Sequence, residues 1–503
     1  MTLRDYQKEA VDKIQRSKSN RVLVVSPTGS GKTHIGNAVM KTYADIFKYS
    51  LLVVHRREIV LQTWDKLERL GVNAGIIMAG ERPNLFAPIQ LAAIQTLFAR
   101  AIRSERMKMP LAHLLVIDEA HHACARTYKK VIEAYPDAKI VGLTATPCRG
   151  DGRGLGGIFD ELIELPQVPD LIEMGHLVPT INFGPQHLDL SGIATRQGDY
   201  AVDQLAQRMN TEKLVGNIVV HWLKYSERRK TVIFAVDVAH SVHIRDELIR
   251  AGVKAEHIDG STPKDQRDET LARLARGDIE VVCNCMVLTE GWDMPEVGCC
   301  VLARPTKQMG LYRQMVGRVL RPSPETGKKN AIVIDHSGAV SRLGFVEDRI
   351  EWTLDPEGKP QNDTQEERAV PGGANRIIEC SQCGAMREGG KACPNCGFLP
   401  APKARDYQVR EGDLGLIDRN GKINGPVYDD AAKRRWLAEL VGFADQRGYS
   451  PNWARWKFKE KFGSFPPIGN PPPAQPSPEV RAWAMSRVIA YAKAKQREQR
   501  AAQ

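Results

Sequence analysis

The 503 residues contain no run of eighteen apolar residues, which leaves no stretch long enough for an ordinary membrane-spanning helix. The opening MTLRDYQKEA has neither the basic stretch nor the apolar core of an export signal, so the expected setting is the cytoplasm, with no membrane partner. Cysteine is sparse, and ten of them in a chain without an export signal argue against a disulfide framework. Acid falls short of base: 60 Asp and Glu face 71 Lys and Arg, for a net charge of +11 and a pI of about 9.1. The surplus is uneven, since residues 401–503 hold 19 basic against 11 acidic side chains, or +8 of the total. Such a balance fits a polyanionic partner without requiring one. Hydrophobic content of 42% and charged content of 26% are those of an ordinary globular protein, and the length implies two to four domains.

From Arg21 to about Leu165, apolar runs of strand length alternate with helical patterns. RVLVVSP precedes a helix from Lys32, SLLVVH precedes one near Glu58 to Leu70, and LLVIDEA and KIVGLTAT follow. A second series starts near Lys230: TVIFAV, a helix from Val238 to Ala251, AEHIDG, a helix from Pro263 to Arg276, IEVVCNC, VGCCVLA, a helix through Arg321, and NAIVID. Strands alternating with helices predict parallel sheets covered on both faces, here two in tandem. The expected layout is a first lobe at 1–165, a connector at 166–210, a second lobe at 211–352, a linker at 353–375, a cysteine module at 376–400 and a basic, aromatic, mainly helical region at 401–503. Within the last, PPIGNPPPAQPSP (Pro466 to Pro478) reads as an extended linker.

SPTGSGKTH, Ser26 to His34, follows a strand and opens a helix. Its glycines let backbone N–H groups of Thr28, Gly29, Ser30 and Gly31 face a phosphate at a positive helix N-terminus. Lys32 should reach the outer phosphates and the Thr33 hydroxyl should ligate Mg²⁺. VIDEAHH ends a later apolar strand with adjacent carboxylates, at the edge where open parallel sheets bind ligands. Asp118 is expected to hold the metal and Glu119 to activate the attacking water, so ATP hydrolysis is the reading. Upstream, the Gln7 amide suits the donor and acceptor of an adenine edge, with Arg4 or Tyr6 stacking on it.

QMVGRVLRP sets Arg318 and Arg321 three apart on one face of an expected helix, with no acidic neighbour in sequence. Cations set opposite Mg²⁺ stabilise a γ-phosphoryl transition state and can be worth roughly 10³–10⁵ in rate. Two lobes facing each other across ATP would give both guanidinium groups a partner.

In order, the chain shows LRDYQ, PTGSGKT, VVHRRE, AAIQTL, DEAH, TATP, VIFAVD, TEGWDMP and QMVGRVLR. This series resembles the superfamily-two DEAH-box helicases over about residues 1–345. GLTATPCRGDGRGL and ARPTKQMGLYRQMVGRVLRP are most similar to the branch of type III restriction motor subunits and UvsW-like DNA translocases. The resemblance implies two RecA-like lobes. By motif, Gly29, Gly31, Lys32 and Thr33 correspond to the phosphate loop, Asp118 and Glu119 to the hydrolytic carboxylates, and Thr144 and Thr146 to the coupling motif. Gly291 and Asp293 correspond to the ribose-side motif, and Gln314, Arg318 and Arg321 to the arginine-finger motif. Arg56, Thr96 and Thr289 lie at motifs that grip nucleic-acid phosphates, contacts that give hold without sequence preference.

CSQCGAMREGGKACPNCG pairs Cys380 and Cys383 with Cys393 and Cys396, two CxxC knuckles that supply four thiolates for a structural, tetrahedral Zn²⁺. Cys283, Cys285, Cys299 and Cys300 lie on expected buried strands. Half of the eight tryptophans follow Trp352, and KRRWLAELVGFADQRGYSPNWARWKFKEKF interleaves them with Lys and Arg. Single-strand binding uses that pairing of cations and rings, and a helical domain with an aromatic core and a basic face has it too. The expected activity is an ATP-dependent DNA helicase or translocase acting on single-stranded, forked or branched DNA. Its partners would include a nuclease or a replication or recombination protein; a restriction-type motor, an RNA helicase and a nucleotide-gated clamp are the alternatives.

Overall fold

The computed structural model describes residues 3–149, 152–185, 188–196, 198–355, 357–358, 376–399, 416–417, 423–424, 428–467 and 469–501. Most of the expected linker therefore lies outside the described residues. The chain divides into two units, 1–401 and 402–503.

The first unit holds two parallel sheets. Strands β1 (Arg21–Val25), β2 (Ser50–Val54), β3 (Ala74–Ile77), β4 (Ile89–Ala93), β5 (Leu114–Asp118), β6 (Lys139–Thr144) and β7 (Glu161–Glu164) lie in the order β3-β4-β2-β5-β6-β1-β7. Strands β2, β4 and β5 are buried at every position, as a sheet covered on both faces requires. One face packs against the helices Asp5–Arg16, Lys32–Asp45 and Arg57–Arg69 through Ile14, Ile35, Val39 and Leu67. The other packs against Tyr128, Ile132 and Phe159. Pairing of Val25 with Thr144 and of Asp118 with Leu143 sets the carboxyl ends of β5, β6 and β1 side by side. That register brings three motifs, distant in sequence, to one edge.

The second sheet contains β8 (Thr180–Phe183), β11 (Thr231–Phe234), β12 (Ala255–Ile258), β13 (Val281–Asn284), β14 (Cys299–Leu302) and β15 (Ala331–Asp335), in the order β12-β13-β11-β14-β15-β8. A small hairpin of β9 (Thr195–Arg196) and β10 (Asp199–Tyr200) lies between β8 and β11 in the chain. TINF, inside the stretch expected to be connector, thus forms an edge strand of the second sheet; its four residues are too few for periodicity to reveal. Cys283, Cys299 and Cys300 are buried as expected, whereas Cys285 lies past the end of β13 and is half-buried.

The cysteine module is built into the second lobe. Its hairpin, β16 (Ile377–Glu379) and β17 (Met386–Glu388), buries Cys380, Ala385 and Cys393 in one core with Phe183, Trp222 and Ile332. At Leu354 and Asp355 the chain returns to the first lobe, where Gly154 and Gly156 donate to the carbonyls of Asp355 and Leu354 at 3.1 and 2.6 Å.

In the second unit, helices Asp430–Gln446, Pro451–Phe462 and Pro478–Ala501 enclose Trp436, Leu440, Phe443, Phe458 and Val480. Asp429 caps the first helix by accepting from Ala432 N at 2.7 Å. Trp436 is edge-on to Tyr428, Phe462 and Trp483, so the aromatic signal is chiefly a core; Trp456, Phe465 and Tyr491 stand outside it, 59%, 42% and 71% exposed. The proline-rich segment is not a free linker. Ala474 N donates to Ala438 O at 3.0 Å, and Ser477 donates to the buried Glu439 carboxylate through its backbone N–H and its hydroxyl. Proline's missing donors leave such a segment free to lie on a helix without unsatisfied N–H groups. Among the described residues no helix is long and apolar enough to cross a membrane.

Candidate nucleotide site between the lobes

The loop between β1 and the helix Lys32–Asp45 is held in shape from several sides. Gly29 and Gly31 have φ of 90° and 87°, which L side chains rarely adopt. Ser26 Oγ donates to Ser30 Oγ at 2.6 Å, and Ser30 Oγ donates to Pro27 O at 2.7 Å. From the N-terminal helix, Tyr6 Oη and Gln7 Nε2 both donate to Ser30 O, at 2.6 and 2.9 Å. Gln7 Oε1 accepts from Arg4 N at 3.0 Å, and Arg4 Nη1 donates to Tyr6 Oη at 3.0 Å. Gln7 is thus 3% exposed and braces the phosphate loop, leaving one amide hydrogen and one lone pair for an adenine.

Lys32 Nζ lies over the loop it belongs to, donating to the carbonyls of Ser26 and Pro27 at 3.1 and 3.3 Å. Burial lowers its pKa; Glu119 and Asp118 oppose that, while Arg318 and Arg321 add to it. Thr33 is half-buried one residue on. Asp118 ends β5 and accepts from Glu119 N at 3.0 Å. Glu119 has φ of 49°, a left-handed conformation that costs a side-chain-bearing residue roughly 1–3 kcal/mol and turns its carboxylate toward the loop side of the sheet. Burial, then the neighbouring Glu119, push the Asp118 carboxyl up to about 7. Burial also pushes Glu119 up, but His121 and Lys32 outweigh it and hold Glu119 below its ordinary value. No hydrogen bond of normal geometry reaches Glu119 Oε2, although it is buried. The buried Asp118 carboxylate, a hard oxygen donor at the strand end, fits a hydrated divalent cation.

The second lobe closes over this edge. A Cβ on Gly317 would lie 2.6 Å from Thr28 Cβ, so only glycine permits this approach of the helix Met309–Gly317 to the phosphate loop. That helix stops at Gly317, earlier than the sequence pattern predicted, and Arg318 and Arg321 lie in the turn beyond it. Arg318 is half-buried and donates to two carbonyls, from Nε to Thr289 O at 3.0 Å and from Nη1 to Trp292 O at 2.7 Å. Arg321 passes beside Gly29, where a Cβ would stand 3.4 Å from its Cγ and Nε. The expectation that neither arginine has an acidic neighbour fails for Arg321, which pairs with Asp293 across the turn. Chain separation hid that partner.

Other expected contacts take two forms. Arg56 is a tie between lobes: Nη1 donates to Val287 O at 2.7 Å and Glu290 O at 3.2 Å, and its Nε lies 3.4 Å from Glu290 Oε2. Gly291 packs against it, and Asp293 is half exposed beside a cavity of about 330 Å³ that also contains Arg56, Lys66 and Arg267. Thr289 and Gln314 line a larger interlobe cleft of about 1330 Å³, together with Thr146, Arg304 and Lys307. Thr144 Oγ1 donates to Thr146 O at 2.9 Å, fixing the turn that follows β6. Thr96 is half-buried on the short helix after β4, not among the residues of that cleft. Three residues inside quoted motifs carried no assigned role in sequence, His121, His122 and Glu290; they meet between the lobes because each follows a carboxylate-end strand.

The cysteine site is compact. Cys380 Sγ lies 3.7 Å from Cys396 Sγ, Cys383 Sγ lies 3.6 Å from Cys393 Sγ, and all four sulfurs are within 4.8 Å of one another. Four thiolates about 2.3 Å from a tetrahedral ion would stand roughly 3.8 Å apart, so the cluster fits a metal of zinc's size.

Fold and site together define a two-lobed nucleoside-triphosphatase, with a phosphate loop and carboxylates on one lobe and arginines brought by the other. The family described as "Type III restriction enzyme, res subunit" matches residues 1–149, and "Helicase conserved C-terminal domain" matches residues 212–323. A "51.5 kDa protein" of a Lactococcus phage is 28% identical over 399 residues, 79% of this chain and 82% of its own. IRC3 of Saccharomyces cerevisiae, provisionally named an ATP-dependent helicase, is 29% identical over 367 residues, 68% of this chain. The chain spans about half the length of that yeast protein (52%). In structure, a fragment of a provisionally assigned HsdR subunit of a type I restriction enzyme from Vibrio vulnificus shares the fold, with a TM-score of 0.52 at 20% identity, covering 71% of this chain and 66% of the fragment. Residues 1–149 and 212–323 are thus the paired domains of a superfamily-two helicase, related to restriction motor subunits.

Proposed function

We propose that the chain hydrolyses ATP between its lobes and uses the cycle to move along or unwind DNA. The supporting observation is the convergence of Lys32, Asp118 and Glu119 from one lobe with Arg318 and Arg321 from the other around a single loop. Backbone groups of Thr28, Gly29, Ser30 and Gly31 cradle the phosphates with Lys32, Arg4 and Gln7 meet the base, and Gly291 and Asp293 lie on the ribose side. Asp118 and Thr33 would hold Mg²⁺, which supplies neutralising charge to the phosphates. Glu119 takes a proton from water as its oxygen attacks the γ-phosphorus; the bond to the bridging oxygen breaks and ADP leaves. Gln314, Arg318 and Arg321 meet the charge that develops on the γ-phosphoryl oxygens, and Arg321 exchanges Asp293 for phosphate.

Nucleic acid runs across the two lobes along the large cleft, past Thr289, with Arg56 and Thr96 as the further phosphate-contacting residues. Cys380, Cys383, Cys393 and Cys396 hold a structural Zn²⁺. Single-stranded, forked or branched DNA is the substrate class, and a nuclease or recombination partner is consistent with the relation to restriction motors. A motor subunit acting through a separate nuclease is the second reading, favoured by the match of residues 1–149 to a restriction subunit. RNA as substrate is tested in the same assay. Lys32→Ala and Glu119→Gln should each remove ATP turnover, the latter by roughly 10²–10⁴-fold while sparing ATP binding. Turnover unchanged in both variants would sink the proposal.

A further inference from the structure

Glu290 stands on the turn after β13, in the second lobe, yet its carboxylate faces three basic side chains of the first. Its Oε1 is 3.7 Å from His121 Nε2 and 3.7 Å from His122 Nε2, and its Oε2 is 3.4 Å from Arg56 Nε. His121 is the pivotal neighbour. Its other nitrogen, Nδ1, lies 3.4 Å from Glu119 Oε2 and 3.4 Å from Thr144 Oγ1. One imidazole therefore spans two carboxylates, the hydrolytic one of its own lobe and Glu290 of the opposite lobe. All three side chains are largely buried, so water screens the line Glu119–His121–Glu290 weakly.

We infer that Glu290 is a positioning residue for hydrolysis: it orients His121, and through it the Glu119 carboxylate, only while the lobes are closed. The inference rests on the hydrolytic role proposed for Glu119. An imidazole between two carboxylates is protonated on both nitrogens. Burial lowers its pKa, but Glu119 and Glu290 outweigh that and raise it to about 9. His121, His122 and Glu290 also offer three donor atoms within 4.8 Å of one another, the chemistry of a transition-metal site. That use is disfavoured because a cation would have to displace a proton from His121 and join Arg56 against the same carboxylate. The cations already present balance it.

The consequence is a gate. Opening the lobes withdraws Glu290, frees the His121 ring to turn, and releases the Glu119 carboxylate from the geometry in which it takes a proton from water. Hydrolysis thus waits for the closed state, in which Thr289, the residue before Glu290, lines the cleft proposed for nucleic acid.

The test is steady-state ATPase of the full chain at saturating DNA, in a double-mutant cycle of Glu290→Gln and His121→Ala. Glu290→Gln should lower kcat by about 10-fold or more with the KM for ATP within about 3-fold, the pattern of a group that acts on the chemical step. In the His121→Ala background the same substitution should cost less than about 2-fold, because the residue it acts through is gone. A wild-type kcat in Glu290→Gln, or its full loss retained without His121, overturns the inference. Should the glutamine variant fail to fold, Glu290→Asp takes its place in the same cycle, with the same two outcomes. Wild-type turnover that survives Glu119→Gln would instead overturn the hydrolytic reading, and this inference with it.

Discussion

Asp118 and Glu119 are neighbours in the chain and opposites in environment. Asp118 is buried at a strand end with the Glu119 backbone N–H as donor, and burial followed by repulsion from Glu119 raises it to about 7, whereas His121 and Lys32 hold Glu119 below its ordinary value. A folded-state value above the ordinary 3.8 means that the folded chain binds the Asp118 proton more tightly than the unfolded chain. Its contribution to stability is therefore present at low pH and is lost as pH rises toward 7. In the absence of nucleotide and Mg²⁺, the melting temperature of Asp118→Asn relative to wild type should rise between pH 5 and pH 7 and level off above. A difference that is flat with pH would show that the Asp118 proton is not linked to folding. The motif residues were legible because each type serves one chemistry: a lysine after glycines, paired carboxylates after an apolar run. Glu290 was not, because a carboxylate between Thr289 and Gly291 has no meaning until β13 carries it against the other lobe.

At the scale of elements, glycine and cysteine do most to fix the parts. Gly442 lies on the helix Asp430–Gln446, where an added Cβ would stand 1.9 Å from Ala474 O. Backbone, not a yielding side chain, occupies the space. Gly442→Ala should destabilise the C-terminal unit by about 1–3 kcal/mol, read as a lowered thermal transition, while ATP turnover by the first unit is unchanged. An unchanged transition would mean that the proline-rich segment is not seated on that helix. The prolines of that segment pointed toward a linker, and the glycine that receives them gave no sign in sequence. Cys380 and Cys393 share a core with Trp222 and Phe183. Cys393→Ser should abolish stoichiometric zinc and lower the melting temperature of the first unit together, whereas metal loss without a thermal shift would separate the module from the lobe. Alternating strands and helices made both sheets legible, while β3, β4, β7 and β8 are not among the apolar runs that read as strands.

At the scale of the molecule, several of the points where the lobes touch belong to motifs. Gly317 meets Thr28, Arg56 meets the carbonyls before Gly291, and Arg267 pairs with Glu58 at 3.6 Å. Sequence order placed these motifs on separate lobes; only their juxtaposition makes a site, and that depends on strand order rather than on any local pattern. On the proposed reading, two half-sites joined in this way hydrolyse nucleotide only when closed, and a strand of nucleic acid held across both favours closure. The most direct measurement is ATP turnover of the wild type and of Arg318→Ala with no nucleic acid, with single-stranded DNA, with forked DNA and with RNA. Turnover should rise on DNA, and Arg318→Ala should lose roughly 10³-fold or more of the stimulated rate while still binding ATP. Equal wild-type turnover with and without nucleic acid, or an arginine variant as fast as wild type, would contradict the two-lobed motor.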